Sequence, residues 1–68
     1  MLISPTAVLL DEVNSFLNRV GMAPTQFGKD AIGDPNLVRH LRAGRDPRLS
    51  TAQRVRDFMV QYEADVSA

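Results

Sequence analysis

The chain has no cysteine and no tryptophan, and its one histidine is His40. Without thiols there can be neither a disulfide framework nor a thiolate metal site, and one imidazole cannot close a zinc shell alone. No metal and no cofactor are therefore expected, and a reducing cytoplasm is the simplest setting. Long apolar runs are also missing. The longest, Ala7 to Leu10, has four residues, against roughly 20 for a helix that crosses a bilayer. No membrane span is expected, and no secretory leader with a basic start and an extended apolar centre. Internal repeats, low-complexity stretches and the alternating apolar pattern of strands are absent as well. What remains is 68 residues, 44% hydrophobic and 24% charged. That is enough apolar mass for one core and too little for two, so residues 1–68 read as a single domain.

Net charge is also missing, since eight basic residues cancel eight acidic ones, but the cancellation hides an uneven distribution. From Met1 to Asp34, two basic residues stand against four acids, a local charge of −2. From Pro35 to Arg56, Arg39, Arg42, Arg45, Arg48, Arg54 and Arg56 face only Asp46, a local charge of +5. Every basic residue of that segment is arginine, whose planar fork matches phosphate oxygens and the guanine edge. The segment is the candidate contact surface.

Apolar spacing predicts four helices. Ser4 can cap a first helix that has Pro5 at its first position, where the missing N–H costs nothing. Ile3 and Val8 stand at the positions of a hydrophobic staple. The helix is expected from about Pro5 to Val20, with Leu9, Val13, Phe16, Leu17 and Val20 on one stripe and Gly21 as its stop. Pro24 and Thr25 open a second, of about two turns, with Phe27, Ala31 and Ile32 inward and Gly33 at its end. Asp34-Pro35 repeats the cap-and-proline device, about two residues after the second helix, and starts a third. Leu37, Val38 and Leu41 form its inner face, and Gly44 closes it. Gly44 to Leu49 reads as a loop around Pro47. A last helix begins at Ser50 or Thr51, where Ser50 and Gln53 have capping-box spacing, and runs to about Ala64 with Val55, Phe58, Met59 and Tyr62 inward. The fold class is all-α, a compact bundle of four short helices.

Two short helices joined by a minimal turn, the second turning polar and basic side chains outward, have the shape of a helix-turn-helix. Over about residues 24–44 the sequence resembles the lambda-repressor-like, Cro/repressor class of helix-turn-helix regulators, often called XRE. Phe27 and Ala31 match the apolar positions of the first motif helix, Gly28 the small residue packed on the second, Val38 and Leu41 the apolar pair of the recognition helix, and Gly44 its terminal glycine. Two positions depart from the pattern. Gly28 stands where alanine is usual, and Ile32 occupies the turn-glycine position, with Gly33 one place later. The resemblance implies sequence-specific binding in the DNA major groove by a bacterial or phage transcriptional regulator, associated with the nucleoid. Its docking mode implies base contacts from Asn36, Arg39, His40 and Ala43, of which Arg suits guanine and Asn adenine. Backbone contacts are implied for Thr25, Gln26, Arg42, Arg45, Arg48, Thr51 and Arg54. A second copy or a partner protein is expected to raise the affinity of so small a module, with Leu2, Leu10 or the last helix as candidate apolar surface.

The alternative is a small helical protein-interaction module, an adaptor or antitoxin-like subunit whose arginine face grips an acidic partner. Catalysis finds no constellation. Asp11 and Glu12 are adjacent and diverge by about 100° on a helix, and His40 has neither a nucleophile nor a second ligand beside it. No enzymatic activity and no small-molecule substrate are expected. Phe16, Phe27, Phe58, Met59 and Tyr62 fall on inward faces and read as core rather than as a base-stacking platform.

Overall fold

The computed structural model describes residues 5–67. They form four helices: α1 (Pro5–Val20), α2 (Pro24–Ile32), α3 (Leu37–Arg42) and α4 (Leu49–Ser67). The chain is all-α, with no strand among the described residues. Among them, too, no helix is long and apolar enough to cross a membrane. The Ser4 cap, the Ile3 half of the staple and Leu2 lie outside the described residues. Val8, the other half of the staple, is largely exposed.

One core gathers the stripes that the spacing predicts. Leu9, Val13, Phe16 and Leu17 of α1, Phe27 of α2, Leu37, Val38 and Leu41 of α3, and Val55 and Met59 of α4 are buried in a single cluster. Val20, Ala31, Ile32, Phe58 and Tyr62 pack against it, half-buried. All the aromatic residues meet there. The Phe16 ring centroid lies 5.5 Å from those of Phe27 and Tyr62, and Phe58 lies 5.5 Å from Phe27 and 5.9 Å from Tyr62. Edge-on and tilted geometries at these distances add about 0.5–1.5 kcal/mol per pair beyond area burial. The four rings join α1, α2 and α4, while α3 packs on α1 and α2.

Helix exits are set by glycine. Gly21, Gly33 and Gly44 follow α1, α2 and α3, all with positive φ. At Gly44, φ +84° lets its N–H reach the Leu41 carbonyl and the Arg45 N–H reach that of His40, the double return bond of a Schellman ending. Gly28 serves a different purpose. Its own backbone is helical, but a Cβ there would run into the Asp34 carbonyl oxygen and lie 3.2 Å from Leu37 Cβ. The α2–α3 connection crosses so close that even alanine does not fit. The Asp34 N–H also bonds back to the Gly28 carbonyl at 3.1 Å, so the same contact both excludes a side chain and fixes the turn.

The structure shifts four expected boundaries. Four residues, 33–36, separate α2 from α3, rather than about two, and α3 has six residues instead of the nine from Pro35 to Ala43. Pro35 and Asn36 are the middle of a tight turn, with the Leu37 N–H on the Asp34 carbonyl at 3.2 Å and Asn36 at φ −97°, ψ 4°, which is the third position of a type I turn rather than helix. Asp34 therefore does not cap α3, whose first flanking residue is Asn36; its Oδ1 instead accepts the Asn36 N–H at 2.9 Å, within the turn. At the other end, α4 starts at Leu49, because the Ala52 N–H bonds to Arg48 O and makes Arg48 the first turn's acceptor. Ser50 therefore lies inside the helix, and Gln53 turns forward to Asp57 at 2.9 Å, so the expected capping box is not formed. α4 also runs on to Ser67, past the expected end near Ala64, with Gln61 donating to Asp65 one turn along, at 2.9 Å.

Replacing Gly28 by alanine is expected to cost about 1–3 kcal/mol, the range for a forced overlap in a packed site, and to lower the melting temperature by at least 4 °C for a domain of this size, roughly. Urea or thermal unfolding followed by circular dichroism measures it. A Gly28→Ala chain as stable as the parent would contradict the close approach.

Candidate nucleic-acid interface

The inner face of α3 is Leu37, Val38 and Leu41, all buried. At about 100° per residue, the opposite face belongs to Arg39 and Ala43, with Asn36 continuing it from the turn and His40 and Arg42 on the two flanks. Asn36, Arg39, Arg42 and Ala43 are exposed and His40 half-buried. The core thus fixes which way these side chains project, although α3 itself is too short to be a stable helix alone.

The expected contact residues fall into two groups. Thr25, Asn36, Arg39 and Arg42 line one concavity, together with Pro24, Pro35 and Val38. Its charged members are both cationic. His40, Arg45 and Thr51 line a second on the far flank of α3, which they share with Asp34 and Asp46. There the sign is mixed, and His40 Nδ1 lies 3.9 Å from Asp34 Oδ2. The first concavity is the better anion site. Gln26, Ala43, Arg48 and Arg54 line neither, though all four are exposed. Gln26 spends its amide on Asp30, one turn along α2, at 2.7 Å.

The arginines also differ in freedom. Among the described residues, Arg39, Arg45, Arg48 and Arg54 form no ion pair, whereas Arg56 is bound to Glu12 of α1 at 3.0 Å. Arg42 sits between these cases, donating to Asn14 Oδ1 at 3.4 Å. Asn14 and Asn18 of α1 adjoin Arg42 and Pro24 in a further shallow depression, so the polar face of α1 continues the cationic concavity. Asn14 and Asn18 carry no pattern of their own beyond lying opposite the apolar stripe, which is why only the packing of α1 on α3 exposes their position.

Asp46, the one acid within the arginine segment, is tied down. The Thr6 hydroxyl, buried at the start of α1, donates to Asp46 Oδ1 across forty residues. This bond anchors the loop of residues 45–48 to the first helix. Thr6 was legible in principle, because it stands three residues before Leu9 and seven before Val13, on the buried stripe of α1.

Comparison of the chain with protein-family models, with curated proteins and with solved structures gives no match.

Thr6→Val and Asp46→Ala are each expected to destabilise the fold by about 1–2 kcal/mol, the range for a hydrogen bond to a charged group in a partly buried setting. Together they should cost less than the sum of the two, and a double-mutant cycle by chemical unfolding reads the difference. Strict additivity would show that the two side chains do not interact.

Proposed function

We propose that the chain is a sequence-specific double-stranded DNA-binding domain of the lambda-repressor-like helix-turn-helix type, serving a bacterial or phage transcriptional regulator, with α2 and α3 as the motif. The observation that carries this reading is the outward face of α3. Asn36, Arg39 and Ala43 project along one line from a rod whose other side is locked into the core, with Arg42 and Thr25 beside them. A rod of this kind fits a major groove about 12 Å wide. The four-residue connection from α2 to α3 falls within the range of such motifs, and Gly28 supplies the close crossing that holds the two helices together.

In this reading the roles follow from placement. Asn36 and Arg39 read base edges, Arg39 by two donors to one guanine, and Ala43 touches a thymine methyl. His40, drawn toward Asp34 on the flank, reads at the edge of the contact. Arg42 and Thr25 take a phosphate on one side, and Arg45, Arg48, Thr51 and Arg54 hold the backbone on the other. The exposed free arginines supply the counterion release that drives non-specific affinity. Neutral overall charge does not weigh against this, because attraction at short range depends on the face presented and is screened beyond about 10 Å at moderate salt.

Selection from a random duplex library, followed by titration of the selected and an unrelated duplex at two salt concentrations, tests the proposal. The expected result is a short shared motif and an affinity that falls steeply with salt. Arg39→Ala should lose about 1–3 kcal/mol on the selected site and relax the preference at one base pair, whereas Arg48→Ala should weaken all duplexes alike and reduce the salt slope by about 1. Absence of any enriched motif, with both variants binding duplexes as the parent does, would leave the arginine face to an acidic protein partner.

A further inference from the structure

A second feature lies away from the α3 face. Val8 and Val60, 42% and 70% exposed, line one groove of about 720 Å³ between α1 and α4. Leu49, 85% exposed, lines the adjoining concavity, and Arg56 borders both. Leu49, Arg56, Val60 and Glu63 fall along one stripe of α4 at helical spacing, separate from the stripe of Val55, Met59 and Tyr62 that enters the core. The groove carries two cross-helix ion pairs, Glu12 with Arg56 at 3.0 Å and Arg19 with Glu63 at 2.7 Å. All four partners are substantially exposed, so these pairs add only about 0–1 kcal/mol each to the fold. They do, however, fix where each sign stands.

We infer that a second copy of this chain docks on this groove, with a two-fold axis passing through Val60 and the two α4 helices antiparallel. Arg56 lies one turn before Val60 and Glu63 one turn after it. A two-fold axis reverses that order, so each Arg56 comes to face the partner's Glu63. The result on either side is a row of four alternating charges, Glu12, Arg56, the partner's Glu63 and the partner's Arg19. At the centre Val60 covers its own counterpart. This is the self-complementarity that an isologous contact requires. Other occupants fit less well. A nucleic acid would meet Asp11, Glu12 and Glu63, and a partner of a single charge sign would oppose half of the groove's charges.

Sedimentation equilibrium of the full chain over a wide concentration range tests the inference directly, without DNA, so its outcome is separable from the reading of the α3 face. The expected mass rises from 7.5 kDa to twice that value. Val60→Asp should weaken dimerisation more than about tenfold, as for a residue at the centre of an interface, with the circular dichroism spectrum unchanged because Val60 is so exposed. Arg56→Glu and Glu63→Arg should each abolish self-association, and an equimolar mixture of the two variants should restore it as a heterodimer, since the mixture re-pairs both sides. A chain that stays monomeric at all concentrations, a dimer unaffected by Val60→Asp, or variants that do not recombine on mixing would each overturn it.

Discussion

The four-ring cluster is the constraint from which the rest of the structure follows. Phe16 and Phe27 have no solvent exposure, and with Phe58 and Tyr62 they fix α1, α2 and α4 relative to one another. A chain of this length has a small core, so concentrating all its aromatic area at one point stabilises it more than spreading the rings would. Once those three helices are set, a slot remains on α1 and α2, and Leu37, Val38 and Leu41 fill it. The position of α3 is thus a consequence of rings that it does not itself contain.

The second constraint is local and steric. Gly28 and Asp34 approach so closely that the turn between α2 and α3 has little choice of path. Asp34 responds with three bonds: its N–H to the Gly28 carbonyl, its carbonyl to the Leu37 N–H, and its carboxylate to the Asn36 N–H. Packing from the core and bonding in the turn therefore agree on the direction in which α3 emerges. Agreement between local and global preferences of this kind is what lets a short sequence specify one structure.

Much of this was legible in the sequence. Proline at the start and glycine past the end are physical stops, so α1 and α2 fall where they were expected, and apolar spacing identified the hydrophobic core members of every helix, though not the buried Thr6. Boundaries failed where two devices competed. Asp34-Pro35 has the spacing of a cap and first helical residue, yet equally that of a type I turn, and the proximity of Gly28 decides for the turn. Ser50 and Gln53 have the spacing of a capping box, yet the chain enters α4 earlier. The candidate contact residues could be listed from the sequence, but not their arrangement. Asn36, Arg39 and Arg42 do gather with Thr25, while His40 leans toward Asp34, and no spacing rule could bring Thr6 to Asp46 or Asn14 to Arg42, since those contacts depend on how α1 lies across the bundle.

The division of α3 into three buried and several outward residues has a consequence for how such a molecule can change. The inner three carry the docking energy, and of the outer set only the Asn36 backbone, His40 beside Asp34 and Arg42 on Asn14 touch the scaffold. Exchanging the side chains at positions 39 and 43 would rewrite the chemistry offered to a partner while leaving the scaffold that presents it intact. The molecule is in that sense a fixed handle with a replaceable tip, and a new preference can arise there without first surviving a loss of stability.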